Sequence, residues 1–195
     1  MTRAIAYEGW CFTRSCTCCS SHTAWSFVQI EPADAALLWK FRYYLRVHKK
    51  ALTKFLVCVD WDVHEEVRQA LELLRMWAPI DTDDALRLLC PEYIHPEVRK
   101  YAVDNLSRAS DEELSCYLLQ LVQALRFERW EDSTTTDDEG LPPLARLLVN
   151  RACRSVEMAT FFYWFLSVET ADSATHGKMY SFVCVMTLPH VSCGV

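Results

Sequence analysis

Glycine is nearly missing from this sequence: 195 residues contain Gly9, Gly140, Gly177 and Gly194 and no others. No two of these share a loop, so no Gly-rich turn can wrap a phosphate. That excludes a Walker A loop, a dinucleotide fingerprint and the phosphate-covering loop of a kinase. Proline is also scarce, with 7 residues, and long stretches lack both. Helix interiors tolerate these two residues least, so their depletion favours helices. No apolar run approaches the roughly 18 residues of a membrane span; the nearest, MATFFYWFLSV, is bounded by Glu157 and Glu169. The start of the chain lacks the basic and apolar segments of a signal peptide. Cys193 stands third from the end, where a prenylation box needs it fourth. The expectation is a soluble, cytoplasmic protein that reaches membranes only through a partner.

A basic surplus is missing as well. The net charge is -6, and the cations Arg42, Arg46, Lys49, Lys50, Arg68, Arg99 and Lys100 are scattered along predicted helix faces. Nothing matches the footprint nucleic-acid binding requires, so no nucleic-acid partner is expected.

What the chain does have is apolar residues, 51% of the total, ample for the core of a single domain. It also has 10 cysteines. Cys11, Cys16, Cys18 and Cys19 crowd the first segment, and Cys184 and Cys193 lie near the end. Cys58, Cys90, Cys116 and Cys153 fall in or beside apolar helical patterns, the placement of small buried hydrophobes in a reducing compartment.

Residues 1–30 are polar, aromatic and without period, and are expected to be a disordered leader. Beyond Pro32 the pattern becomes helical. Leu37, Leu38, Phe41, Tyr44 and Leu45 form an i, i+1, i+4, i+7, i+8 stripe. ALTKFLVCV predicts a second short helix ending before Asp60. Asp62 is the expected N-cap of a third, with Glu65 and Glu66 in its first turn and Val63, Val67, Ala70, Leu71, Leu74 and Trp77 on one face. Pro79 stops it, and Asp81 is the expected cap of TDDALRLL.

In HPEVRKYAVDNL, residues 95–106, His95 takes the cap and Pro96 the first helical position. Val98, Tyr101, Ala102 and Leu106 then face inward, and Arg99 is expected to pair with a carboxylate rather than a substrate. Ser110 and Glu113 form a capping box that opens a single helix about 27 Å long through Phe127. EDSTTTDDEG reads as a polar loop. PPLARLLVNRACR and SVEMATFFYWFLSVE are two more helices, the second apolar nearly all round and so expected to be buried between neighbours. Seven or eight short helices without a strand pattern predict an all-α domain. The echo between EEVRQA and PEVRKYA suggests stacked helical hairpins in an α-α superhelix.

Chemistry is harder to find. His64-Glu65 would begin a zincin helix, but the second ligand position is Arg68, which cannot bind zinc. Cys16, Cys18, Cys19 and His22 form a soft cluster with no second knuckle downstream, and metal binding is not expected of it. The carboxylate pairs Asp60/Asp62, Asp83/Asp84 and Glu112/Glu113 all stand at helix starts, where capping and the helix dipole already account for them. Nothing in the spacing brings His48, His64, His95, His176 or His190 to Cys90 or Cys153. No catalytic residue, metal ligand or cofactor site is expected, and the chain reads as a non-enzyme.

Several segments together resemble one family. LLWKFRYYL, ALTKFL, ALELLRMWAPID, ALRLLCPEYIHPEVRKYAVDNL, LSCYLLQLVQALRFE and LARLLVNRACRS…FFYWFLSVE follow the order found in the helical accessory (PIK) domain of phosphatidylinositol 3-kinases. WKFRYYL and FFYWFLSVE are most similar to the class III, phosphatidylinositol 3-phosphate-forming branch. The resemblance covers about residues 33–169, which sets the expected accessory domain at 31–172, and implies an armadillo- or HEAT-like scaffold. In that family the domain stands between a C2 domain and the kinase lobes. It implies contacts with those domains and with class III regulatory subunits, including the protein-kinase-like one, on endosomal and autophagic membranes in phosphoinositide signalling. No catalytic residue of the family maps onto any position.

The pattern changes abruptly at both borders. Residues 1–30 show no C2 pattern, and 173–195 do not continue as a kinase lobe. Both ends are expected to be unrelated sequence from a truncated or mis-spliced gene model, with the tail outside the fold. Two alternatives stand beside the scaffold fragment: a part of an active phosphatidylinositol 3-kinase whose remainder is missing, and a free-standing α-solenoid adaptor.

Overall fold

The computed structural model describes residues 30–93, 95–128, 141–172 and 176–191, and every regular element among the described residues is helical. In chain order these are α1 (Pro32–Lys40), α2 (Arg42–Leu45), α3 (Leu52–Val57), α4 (His64–Arg75), α5 (Thr82–Arg87) and α6 (Pro96–Leu106). Then come α7 (Asp111–Cys116), α8 (Leu118–Ala124), α9 (Pro143–Ala152), α10 (Val156–Asp172) and α11 (Gly177–Val191). Single 3-10 turns, Lys49–Ala51 and Leu125–Phe127, precede α3 and follow α8.

Several helix starts follow local chemistry. Pro96 opens α6, and His95 Nδ1 accepts from the Glu97 N–H at 3.3 Å. Ser110 Oγ accepts from the Glu113 N–H at 3.2 Å to start α7. The start of α4 differs from expectation. Val63, not Asp62, stands at its cap position and makes no side-chain bond. The preceding turn is shaped by Asp60, whose Oδ1 accepts from the Asp62 N–H at 3.0 Å, while Glu66 Oε2 accepts from the Asp60 N–H at 3.1 Å. Asp81 holds the cap position of α5, but its carboxylate is taken by Lys49 and Lys50 instead of the helix backbone.

Two helices expected to be continuous are broken. Phe41, at φ -94° and ψ 12°, separates α1 from α2. Tyr117, at φ -111° and ψ 10°, separates α7 from α8. At the second break the Tyr117 N–H bonds Leu114 O at 3.1 Å, a tightened last turn. The Tyr117 hydroxyl reaches back to donate to Asp83 Oδ1 at 2.6 Å. The expected rod of about 27 Å is therefore two short helices, α7 and α8, interrupted at Tyr117.

The helices stack in chain order. α1 packs on α3, α4 and α5 on α6, α6 on α9, α8 and α9 on α10, and α11 on both α9 and α10. Short connectors between packed helices and a shared apolar layer are the construction of a HEAT-like solenoid. One contiguous core runs through Leu52, Phe55, Leu73, Val98, Leu106, Leu121, Leu148, Phe162 and Tyr180. Each fully buried large side chain there contributes about 1.5–3 kcal/mol relative to an exposed one.

Three burial expectations change. α1 and α2 bury no residue fully: Trp39, stacked on Phe55 at 6.0 Å, turns inward, while Leu37, Phe41 and Tyr44 face out. α10 is two-sided, with Met158, Ala159, Phe162 and Leu166 buried and Phe161, Tyr163, Trp164 and Val168 exposed. Of the four mid-chain cysteines only Cys90 is buried; Cys58 and Cys153 are half-buried and Cys116 is exposed. The segment expected to trail outside the fold contains α11, whose Tyr180 and Val183 are completely buried. They are packed there because α10 offers an apolar face that α9 alone does not cover. The leader, with Cys16, Cys18, Cys19 and His22, lies outside the described residues.

Candidate functional site

Four ionic ties organise the structure, and each connects helices two apart in the chain. Lys50, before α3, meets Asp84 of α5 at 2.9 Å. Arg99 of α6 meets Glu128, just beyond α8, through both Nε at 2.9 Å and Nη2 at 2.7 Å. Arg126, after α8, meets Glu169 of α10 at 2.8 Å. Arg151 of α9 reaches Asp111 at the start of α7.

The Arg99 pair is the deepest, with side-chain exposures of 8% and 4% for Arg99 and Glu128. Burying two charges is tolerable only if the remaining donors are also satisfied. Arg99 Nη1 donates to Leu89 O at 2.9 Å, and Nη2 adds a longer bond to Ala124 O. One guanidinium thus joins the turn after α5, helix α6 and the end of α8. Around Glu169, Gln123 Nε2 donates to Oε1 and Arg126 Nη2 to Oε2, both at 2.8 Å. The buried Tyr180 of α11 lies beside this pair, and burial raises the pKa of its phenol above its ordinary value. Arg151 donates to Ser107 O at 2.6 Å and Ala109 O at 3.1 Å, covering carbonyls at the end of α6.

Among the described residues no three His, Cys, Asp or Glu side chains are grouped as metal ligands. His64 begins α4, while Arg68 of the failed zincin motif pairs with Glu65 at 2.6 Å on the surface. His95 stacks on Trp61 with ring centroids 4.9 Å apart, and His48 rests on Tyr44 at 5.4 Å. Burial pushes the Cys90 thiol up to about 12 and raises those of Cys58 and Cys184. A thiol so shifted is protonated at neutral pH and is a poor nucleophile. The carboxylates at helix starts serve structure: Asp60 in a turn, Asp83 as acceptor for Tyr117, Asp84 for Lys50.

Sequence reasoning missed Glu128, Glu169 and Gln123. Glu169 could have been found, since it falls one heptad after Phe162 on the face that α10 buries. A carboxylate on an apolar face implies a partner cation. Glu128 follows the last 3-10 turn and carries no periodic signal.

The geometry leaves two exposed apolar features. On α10, Phe161, Trp164 and Val168 lie at i, i+3, i+7, with Phe165 stacked on Phe161 at 6.5 Å. On α1–α2, Leu37, Phe41 and Tyr44 lie at i, i+4, i+7.

Short stacked helices, cross-layer ionic ties and exposed aromatic faces define a helical-repeat scaffold. The model of the phosphoinositide 3-kinase family, accessory domain (PIK domain), matches residues 27–189, and the chain belongs to that family. It is similar to the phosphatidylinositol 3-kinase root isoform of Glycine max, 52% identical over 147 residues, covering 75% of this chain and 17% of that protein. It is also similar to phosphatidylinositol 3-kinase pik3 of Schizosaccharomyces pombe, 51% identical over 148 residues, covering 75% and 18%. Phosphatidylinositol 3-kinase VPS34 of Arabidopsis thaliana is 50% identical over 148 residues, covering 76% and 17%. The chain therefore spans less than a fifth of the length of these relatives, and corresponds to their non-catalytic accessory domain. The match reaches residue 189, through most of α11.

Proposed function

We propose that this domain is the helical scaffold of a class III phosphatidylinositol 3-kinase, holding kinase and C2 domains in register and contacting the regulatory subunits of the complex. In that setting it serves ATP-dependent 3-phosphorylation of phosphatidylinositol on endosomal and autophagic membranes without supplying a catalytic group. The observation that carries the reading is the two-sided α10: one face is locked into the core, and the other presents Phe161, Trp164 and Val168 to solvent. An aromatic stripe of this kind on a rigid element is suited to a protein interface. That the chain aligns with 17% or 18% of its relatives' length supports a role as one part of a larger enzyme over a free-standing adaptor.

The test is a chimera in which residues 27–189 replace the matching segment of the fission-yeast pik3 protein. Restored lipid kinase activity, lost on introducing Phe161→Ser with Trp164→Ser, supports the scaffold. A folded but inactive chimera overturns it. The 195-residue chain alone is expected to transfer no phosphate from ATP to phosphatidylinositol above a mock purification.

A further inference from the structure

The segment ALLWKFRYYLRVHKKALTKFLVCV, residues 36–59, contains no acidic residue, although the chain as a whole is acidic. Its cations are Lys40, Arg42, Arg46, Lys49, Lys50 and Lys54, and the flanking acids are Asp34 and Asp60. The same segment carries the exposed apolar side chains Leu37, Phe41, Tyr43, Tyr44 and Val47, with Tyr44 69% and Val47 63% exposed. No other part of the described structure combines exposed aromatics with cations in an acid-free run of this length.

The geometry sorts the cations other than Lys54, which lies on α3, into two groups. Arg42 is half-buried: Nη1 donates to Trp39 O at 2.7 Å, Nη2 to Gln69 Oε1 at 2.9 Å, and the guanidinium lies over Trp39 and Tyr43. It holds the ridge onto α4. Lys49 and Lys50 are engaged by Asp81 and Asp84. Lys40 instead stands in solvent beside the Phe41 ring, its Nζ 5.8 Å from the centroid. Half-buried Arg46 donates from Nη1 to the Met76 sulfur at 3.6 Å and has no carboxylate partner among the described residues. Continued across the Phe41 break, Leu37, Phe41 and Tyr44 make an outward row with exposed Lys40 on it, and half-buried Arg46 flanks it on the side of Met76.

We infer that this α1–α2 ridge docks directly on an anionic lipid bilayer, lying in the headgroup region with Leu37, Phe41 and Tyr44 inserted and Lys40 and Arg46 among the phosphates. Phenol rings with polar tips, flanked by long cations, form the composition that settles at a bilayer interface. The polar ends reach headgroups while rings and methylene stems enter the acyl boundary. A helix laid into a protein groove presents its apolar anchors along one helical face. Here the row crosses the break at Phe41 and ends on a tyrosine, with exposed Tyr43 beside it. No helix among the described residues is long and apolar enough to cross a membrane, so the contact is peripheral. The inference is independent of the scaffold reading and adds a direct membrane contact to one expected only through partners.

The experiment is flotation of the full chain with vesicles of phosphatidylcholine alone or with about one third phosphatidylserine. Binding is expected to the anionic vesicles only, weakening as salt rises because screening shortens the reach of the cations. Lys40→Gln with Arg46→Gln is expected to weaken the partition by about tenfold or more, each cation near such a surface being worth roughly a factor of five. Phe41→Ser with Tyr44→Ser is expected to weaken it comparably at unchanged salt dependence. Lys40, Phe41 and Tyr44 are exposed and Arg46 is half-buried, and none of the four is in the core, so circular dichroism should show both variants helical. Equal flotation of wild type and helical variants overturns the inference, as does failure of the wild type to float. Capture of wild type by polyglutamate beads without vesicle binding also overturns it, in favour of an acidic protein partner.

Discussion

Arg99 and Glu128, 29 residues apart, form a nearly enclosed ion pair at 2.7 Å, with the guanidinium also holding Leu89 O. Sequence spacing gives no hint of their meeting, yet the pair joins three segments around one charge.

Removing one member leaves the other charge buried and alone. Arg99→Ala or Glu128→Gln is expected to cost about 3–5 kcal/mol, read as a lower midpoint in urea unfolding. Arg99→Met combined with Glu128→Leu should recover much of that loss, because a well-packed apolar pair escapes the desolvation cost. A double variant no better than the singles would contradict this account.

Glu169 is held by Gln123 and Arg126 together. Glu169→Ala should destabilise more than Gln123→Ala, since it strands the partly buried Arg126 as well as an amide. Thermal unfolding of the two variants side by side gives the order; the reverse order would mean that Arg126 finds solvent without penalty.

Cys90 and Tyr93 couple stability to alkaline pH. Burial lifts both to about 12, against ordinary values near 9.0 and 10.0. Between those limits the unfolded chain has released protons that the folded chain retains, so unfolding is increasingly favoured as pH rises. Full stability is expected below about pH 9, with progressive loss toward pH 12. Cys90→Ala and Tyr93→Phe should each flatten that slope in denaturant titrations taken at stepped pH.

The same burial predicts thiol selectivity. An alkylating reagent applied briefly to the native protein should modify exposed Cys116 well before Cys90, with the sites read by peptide mass spectrometry. Early modification of Cys90 would mean that the turn after α5 opens readily.

Phe161 and Trp164 are 49% and 61% exposed beside Val168. Isolated chain is expected to self-associate at rising concentration, and Phe161→Ser with Trp164→Ser should reduce this in sedimentation velocity. Unchanged association would direct attention to other surfaces.

Much of the architecture was legible in the residues themselves. Low Gly and Pro content, the Ser110–Glu113 and His95–Pro96 starts and the apolar spacing of α3, α4, α6 and α9 were enough for an all-helical stack. The family resemblance rested on long stretches of sequence, and the matched range, 27–189, extends past it into α11. What was not legible depended on contacts distant in sequence. Periodicity locates an apolar stripe but not what covers it, so the stripe through Leu37, Phe41 and Tyr44 did not show that Trp39 takes the inward place. The breaks at Phe41 and Tyr117 fall inside good helical patterns, where no Gly or Pro marks them. α11 escaped notice because its burial depends on α10, not on a strong stripe of its own.

The ties that skip a helix have a thermodynamic consequence. A stack held only by contacts between successive hairpins can fray from either end, losing one interface at a time. Lys50–Asp84, Arg99–Glu128, Arg126–Glu169 and Arg151–Asp111 each bridge an intervening helix. Releasing one layer then breaks bonds in two, so α3 through α10 should melt in a single sharp transition, with late hydrogen exchange shared across them.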